Sequence, residues 1–177
     1  DNTSFLFVNP FNYNPVHQDQ FFIAARGRLF ATNDVREDPS GDQWLEMTGP
    51  SALTNQFVSV ITGSTDPEGI LYFGTRTGAI FKIADTRELT EDTEIITVDT
   101  GDLPGGNVSG IAIDPNNADR VFVTFSNYNV VSVWMSSDAG ETWSSISGNL
   151  EENADGSGAG PSIRDIEIMP DGNGGNY

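Results

Sequence analysis

The chain has 177 residues, no cysteine, and 26 acidic side chains against eight basic ones, a formal net charge of −18 at neutral pH. That balance excludes binding to a nucleic-acid backbone, which needs clustered Lys and Arg, and it disfavours anionic lipid surfaces. Without cysteine there is neither a disulfide framework nor a thiolate metal site, and no apolar run reaches the roughly 18 residues of a membrane span.

The opening residues Asp1-Asn2-Thr3-Ser4 have neither a basic start nor an apolar core, so no signal peptide is read there. Solubility is the first reading of the acidic charge. Salty surroundings, or divalent cations between surface carboxylates, are the alternatives.

Taken in chain order, apolar runs recur and stop at proline. Residues 5–8 run into Asn9-Pro10, residues 58–62 precede Asp66-Pro67, residues 108–114 meet Pro115, and residues 163–169 alternate with period two up to Pro170. The spacing is about 50 residues, the length of one four-stranded repeat unit. Proline ends each run because it cannot donate to a sheet ladder.

A hairpin pattern follows each of the first three runs. Residues 21–25 lead to 27–30, residues 70–75 to 77–83, and residues 120–125 to 130–134, each pair joined by a polar or Gly-containing turn. Loops rich in Gly, Pro, Asp and Asn separate the units at 49–51, 101–107 and 153–161. Approximate repeats are therefore 1–49, 50–103, 104–155 and an incomplete 156–177. Convincing helical periodicity is absent. Residues 86–93 are too short and too charged for more than a turn or two.

The most informative stretch closes the third repeat: Ser136-Ser137-Asp138-Ala139-Gly140-Glu141-Thr142-Trp143. Asp138 can accept from backbone N–H groups and close a tight loop. Gly140 allows a positive φ. Ser136 and Thr142 supply hydroxyls at the mouth of the loop, and Trp143 opens the next strand with a ring that favours burial. The octet fits S-x-D-x-G-x-T-W and resembles the Asp-box, the repeated turn of sialidases, xyloglucan-hydrolysing enzymes, sortilin-type domains and bacterial secreted repeat proteins. A degenerate copy is read in the first repeat at Thr32, Asp34, Gly41 and Trp44, split by an insertion at 35–40. The second repeat has none.

The resemblance implies an all-β fold, a β-propeller of four-stranded antiparallel blades. Each box would join the third and fourth strands at the periphery, away from any catalytic centre. It also implies a bacterial, extracellular or cell-surface setting. Three repeats plus one leading strand are too few for a ring of roughly four to eight blades. The expectation is a fragment of about three blades and the start of a fourth, completed by further chain or by another chain.

Catalytic constellations have little support. His17 is the sole histidine and reads as a surface loop residue. The sialidase resemblance implies an arginine triad, yet Arg26, Arg28, Arg76 and Arg164 read as scattered. Arg28 or Arg76 are candidates for lining a carbohydrate groove. Asp165 lies on an inner-strand repeat and is a candidate to face a central channel, where a xyloglucanase-type enzyme would hold paired acids. Tyr13 and Phe11 are candidates to stack on a sugar, whereas Trp134 reads as packing between blades. Calcium is kept open at residues 99–102 and 155–158, although neither matches an EF-hand loop.

The expected function is a non-catalytic binding or scaffold module with a protein or carbohydrate ligand. Part of a glycoside hydrolase is the competing reading.

Overall fold

The computed structural model describes residues 8–36, 44–152, 155, 160 and 162–169. Their regular structure is strand, apart from short 3-10 turns at Ser51–Leu53 and Gly148–Glu151. The first sheet contains β1 (Phe11–Tyr13), β2 (Phe21–Ala25), β3 (Arg28–Thr32) and β4 (Leu45–Met47). The second contains β5 (Val58–Thr65), β6 (Glu68–Thr75), β7 (Ile80–Ile83) and β8 (Ile96–Thr97). The third contains β9 (Val108–Asp114), β10 (Asn117–Phe125), β11 (Val133–Ser136) and β12 (Ser144–Ser145). Each sheet is an antiparallel meander in chain order.

Side-chain alternation decides how the sheets assemble. Successive strand residues point to opposite faces, and β6 is apolar on both. Leu71 and Phe73 join Phe22, Leu29 and Met47 of the first sheet in one core. Tyr72, with Ile70 at its edge, joins Val121, Val123 and Phe125 of the third sheet in another. The ring of Phe73 stacks on Phe81 of β7 at 5.2 Å. Each core thus lies between two sheets, and the second sheet is covered on both faces. Burying one such side chain contributes about 1.5–3 kcal/mol, so a single exposed sheet would forfeit most of its stabilisation.

Along the first strands, β5 lies beside β1 and β9. Two serines one repeat apart make the same link to the next unit. The Ser59 hydroxyl donates to the Val108 carbonyl at 2.6 Å, and the Ser109 hydroxyl to the Ile163 carbonyl at 2.7 Å. At Gly74 β6 comes close to the third sheet: a Cβ there would stand 2.5 Å from Val108 Cγ1.

Two expectations are corrected. Val8 lies outside any strand, residues 1–7 fall outside the described residues, and the first strand begins after Pro10. Pro10 accepts a hydrogen bond from the Ala24 N–H at 3.1 Å. A proline carbonyl can thus extend a ladder that its missing N–H cannot. Residues 162–169 form no paired strand, since no ladder partner lies among the described residues. The Ser109 link, and the Ser162 hydroxyl donating to the Ser126 carbonyl at 2.6 Å, hold the segment against the third sheet.

Gly74→Ala should destabilise the protein by about 1–3 kcal/mol, the usual cost of overpacking. Chemical denaturation with an unchanged m-value checks it, and an unaltered midpoint would contradict the close approach to Val108.

Candidate functional site

The turns after β2, β6 and β10 share one end of the stack with the segments that lead into β5 and β9. Gly27 N–H donates to the Gln56 carbonyl at 2.8 Å, Arg76 N–H to the Phe57 carbonyl at 2.9 Å, and Ser126 N–H to the Asn107 carbonyl at 3.1 Å. The backbone pattern brings together three side chains from different segments. The Arg26 guanidinium lies 5.2 Å from the centroid of the Phe57 ring, and that of Arg76 lies 5.5 Å from it. Both arginines are exposed and Phe57 is half-buried. Beside them the Thr77 hydroxyl donates to Gln56 Oε1.

Four other arginines are paired with carboxylates, whereas Lys82, like this cluster, lies over a ring, that of Tyr72, at 5.4 Å. Arg28 pairs with Glu46 at 3.1 Å, Arg36 with Asp19 at 2.6 Å, Arg87 with Asp85 at 2.6 Å and Arg120 with Asp114 at 3.1 Å. Among the described residues, neither Arg26 nor Arg76 makes an ion pair with a carboxylate. An exposed cation–π contact is worth only about 0.5–1 kcal/mol, so the ring leaves most of the guanidinium donors available.

The turn from β11 to β12 is built around Asp138. Its carboxylate accepts from Thr142 N–H at 2.9 Å, from the Thr142 hydroxyl, and from the Ser136 hydroxyl at 2.7 Å. Buried Ser136 Oγ in turn accepts from Gly140 N–H at 2.8 Å. These donors, those of Thr142 foremost, hold the Asp138 carboxyl down to about 2, because each favours the ionised form. Gly140 has φ +93°, and a Cβ there would meet Val98 at 2.9 Å.

The same turn reaches the second sheet. The Tyr72 hydroxyl donates to the Ala139 carbonyl at 2.8 Å and the Trp143 indole N–H to the Asp99 carbonyl at 3.0 Å. Burial, with the charge of Asp119 adding to it, pushes the Tyr72 phenol well above its ordinary value.

In the first sheet, Thr32 Oγ1 accepts from Asp34 N–H at 3.2 Å, as Ser136 Oγ does from Asp138 N–H at 3.2 Å. The Asp34 carboxylate also accepts from Arg36 N–H at 3.0 Å, and that of Asp138 from Thr142 N–H at 2.9 Å. Trp44 stands immediately before β4, as Trp143 stands before β12. Gly41 lies outside the described residues.

The structure does not bring Arg76, Tyr13 and Asp165 together as one site. Tyr13 sits where β1 enters the 14–20 loop, its hydroxyl on the Gln18 carbonyl, at the other end of β2 from Arg26. Asp165 is exposed and accepts from Ile166 N–H at 2.9 Å. The arginines read as scattered include a pair that converges: sequence order hid the Phe57 ring that both approach. Equal placement of Arg26 and Arg76, each directly after the second strand of its repeat, is the signal that could have found them. Of the calcium candidates, the Asp99 carboxylate caps Gly101 N–H at 2.9 Å, and residues 156–158 lie outside the described residues.

Clefts among the described residues hold titratable groups, one of them lined by Lys82, Asp99 and Glu141. A second, of about 350 Å³, is lined by His17, Asp19, Gln20, Asn33 and Arg87. His17 there stands 3.5 Å from Glu68 of β6. Another of about 380 Å³ brings Asp114, Arg120 and Glu167 together with Phe122, Ile146 and Ile166.

Among solved structures, the chain is similar to an ancestral GH74 enzyme, with a TM-score of 0.64 and 16% identity over 91% of this chain. It is also similar to the GH74 enzyme of Niastella koreensis, with a TM-score of 0.53 and 16% identity over 76% of this chain. The C-terminal WD40 domain of Sif2 matches with a TM-score of 0.54 and 12% identity over 96% of this chain. The fold is a β-propeller. Its three sheets are blades, and the chain spans 22% of the length of each GH74 structure and 46% of the WD40 domain. No family model matches the sequence, and no curated protein matches it.

Asp138 supplies a pH test. Its carboxyl, near 3.8 when unfolded and about 2 when folded, contributes stability that is complete above pH 4. The contribution fades as pH falls through about 2. Asp138→Asn should therefore melt below the wild type at pH 6, and the gap should narrow towards pH 2.5. A gap independent of pH would contradict the role given to the ionised carboxylate.

Proposed function

We propose that this chain is a ligand-binding or scaffold β-propeller module of a larger secreted or cell-surface protein. The Arg26–Phe57–Arg76 cluster carries the proposal. It offers two exposed guanidiniums, free of ion pairs among the described residues, on an aromatic ring at the loop-bearing end of two adjacent blades. Loops on a rigid scaffold are where binding residues concentrate. In this reading the 136–143 turn is an Asp-box that clips two blades together without contacting ligand, and 32–44 is its degenerate copy.

The module is completed by further blades, from the same protein or another chain. Supporting this, the first sheet's other face carries Phe11, Phe21 and Trp44, with ring contacts of 5.5 Å and 6.1 Å, and Phe11 is 62% exposed. An aromatic face of this kind favours burial against a neighbour.

A second reading, part of a glycoside hydrolase, draws on two observations. Two of the similar structures are GH74 enzymes, and Asp114 and Glu167 line one cleft. Paired carboxylates across a cleft are the machinery such hydrolysis needs.

Binding and turnover by the full-length protein separate the two. The binding reading expects a glycan or protein ligand retained without cleavage, and weakened by Arg26→Ala or Arg76→Ala. Cleavage of xyloglucan, β-glucan or a sialoside, abolished by Glu167→Gln, would replace it with the enzyme reading.

A further inference from the structure

We propose that the Arg26–Phe57–Arg76 cluster binds the oxyanion group of a sparsely charged saccharide, a carboxylate or a sulfate ester carried among neutral sugars. This rests on the binding-module reading and names the ligand class of that same site.

The repeat provides an internal control. Arg76 and Ser126 occupy the same place after β6 and β10, and each donates its N–H to the residue leading into that blade's first strand, Phe57 or Asn107. In the third blade neutral groups fill the positions: the Asn107 amide donates to Ser126 Oγ at 2.7 Å, and Asn127 Oδ1 accepts from Asn107 N–H at 2.6 Å. The turn therefore forms without cation or ring. Arg26, Phe57 and Arg76 are extra to the architecture and confined to the junction of the first two blades.

The choice of anion follows from charge. With 26 carboxylates in the chain, two neighbouring arginines would be expected to recruit at least one. Among the described residues the two guanidiniums take no carboxylate and share an uncharged ring, at modest energetic gain. Planar forks of this kind bind carboxylate, sulfate and phosphate oxygens through paired N–H donors. The net charge of −18 repels polyanions at long range, so the fitting ligand carries isolated anionic groups.

Saccharide chemistry follows from the neighbours. Gln56 accepts from Thr77 through its oxygen and keeps its amide N–H₂ to donate. Ser126, Asn107 and Asn127 continue the row of hydroxyl and amide groups at the same end of the next blade. Neutral donors and acceptors flanking a cationic spot match hydroxyl-rich rings better than apolar peptide side chains.

The test is calorimetric titration of the full-length protein with four probes. These are a neutral oligosaccharide bearing one glucuronate, its carboxyl-reduced form, the same backbone with one sulfate ester, and an acidic peptide. The expected result is binding of the glucuronate or sulfate probe, weakened about tenfold or more by removal of the anion, as loss of a charge-assisted hydrogen bond implies. Arg26→Gln/Arg76→Gln should lose the same factor while the protein stays folded, its melting temperature lowered by no more than about the few degrees that two lost cation–π contacts imply. Arg36→Gln, at an exposed ion pair elsewhere, should bind as the wild type. Equal binding of the reduced probe, or unaltered binding by the double variant, would overturn the proposal and leave a neutral-glycan module standing. Preference for the acidic peptide would overturn it in favour of a protein ligand. No binding in any arm would sink both this proposal and the carbohydrate side of the module reading.

Discussion

Among the described residues, no sheet has a core of its own. Leu71 and Phe73 are buried only because the first blade lies against one face of β6, and Tyr72 only because the third lies against the other. That constraint explains why the repeats stack, why Gly74 has no room for a side chain, and why serines recur at the inner strands. It also makes blade spacing a property of neighbouring pairs. Arg26 and Phe57 come from successive blades, and the packing between those blades sets where they meet.

The 136–143 turn extends the same logic to the outside of the stack. Locally it satisfies its own backbone through one carboxylate and one buried hydroxyl. Its Ala139 carbonyl and Trp143 indole then engage Tyr72 and the Asp99 carbonyl from the second blade. A loop that only reversed the chain would need neither contact. In the first blade the Asp34 carboxylate accepts from Arg36 N–H, while Thr32 and Trp44 keep the places of Ser136 and Trp143.

Local chemistry was the legible part of the sequence. The octet holds its whole hydrogen-bonding scheme within eight positions, and strand alternation exposed the hairpins because period two is written residue by residue. What failed depended on neighbours. Pro10 looked like a stop, but its carbonyl is taken up by Ala24 of the adjacent strand. Residues 163–168 alternate like a strand and are held by serine side chains, without a ladder. The meeting of Arg26, Phe57 and Arg76 was invisible for a related reason: three segments from two repeats contribute one group each, and no window along the chain contains them all.

Stacking by alternate faces is tested most directly by double-mutant cycles on β6. Phe73→Leu should couple with Leu29→Ala of the first blade by more than about 0.5 kcal/mol, as residues sharing one core do. With Val123→Ala of the third blade, on the far side of the same sheet, its effect should add within about 0.5 kcal/mol. Equal coupling of Phe73 to both partners, or to neither, would contradict an arrangement in which each core belongs to two adjoining sheets.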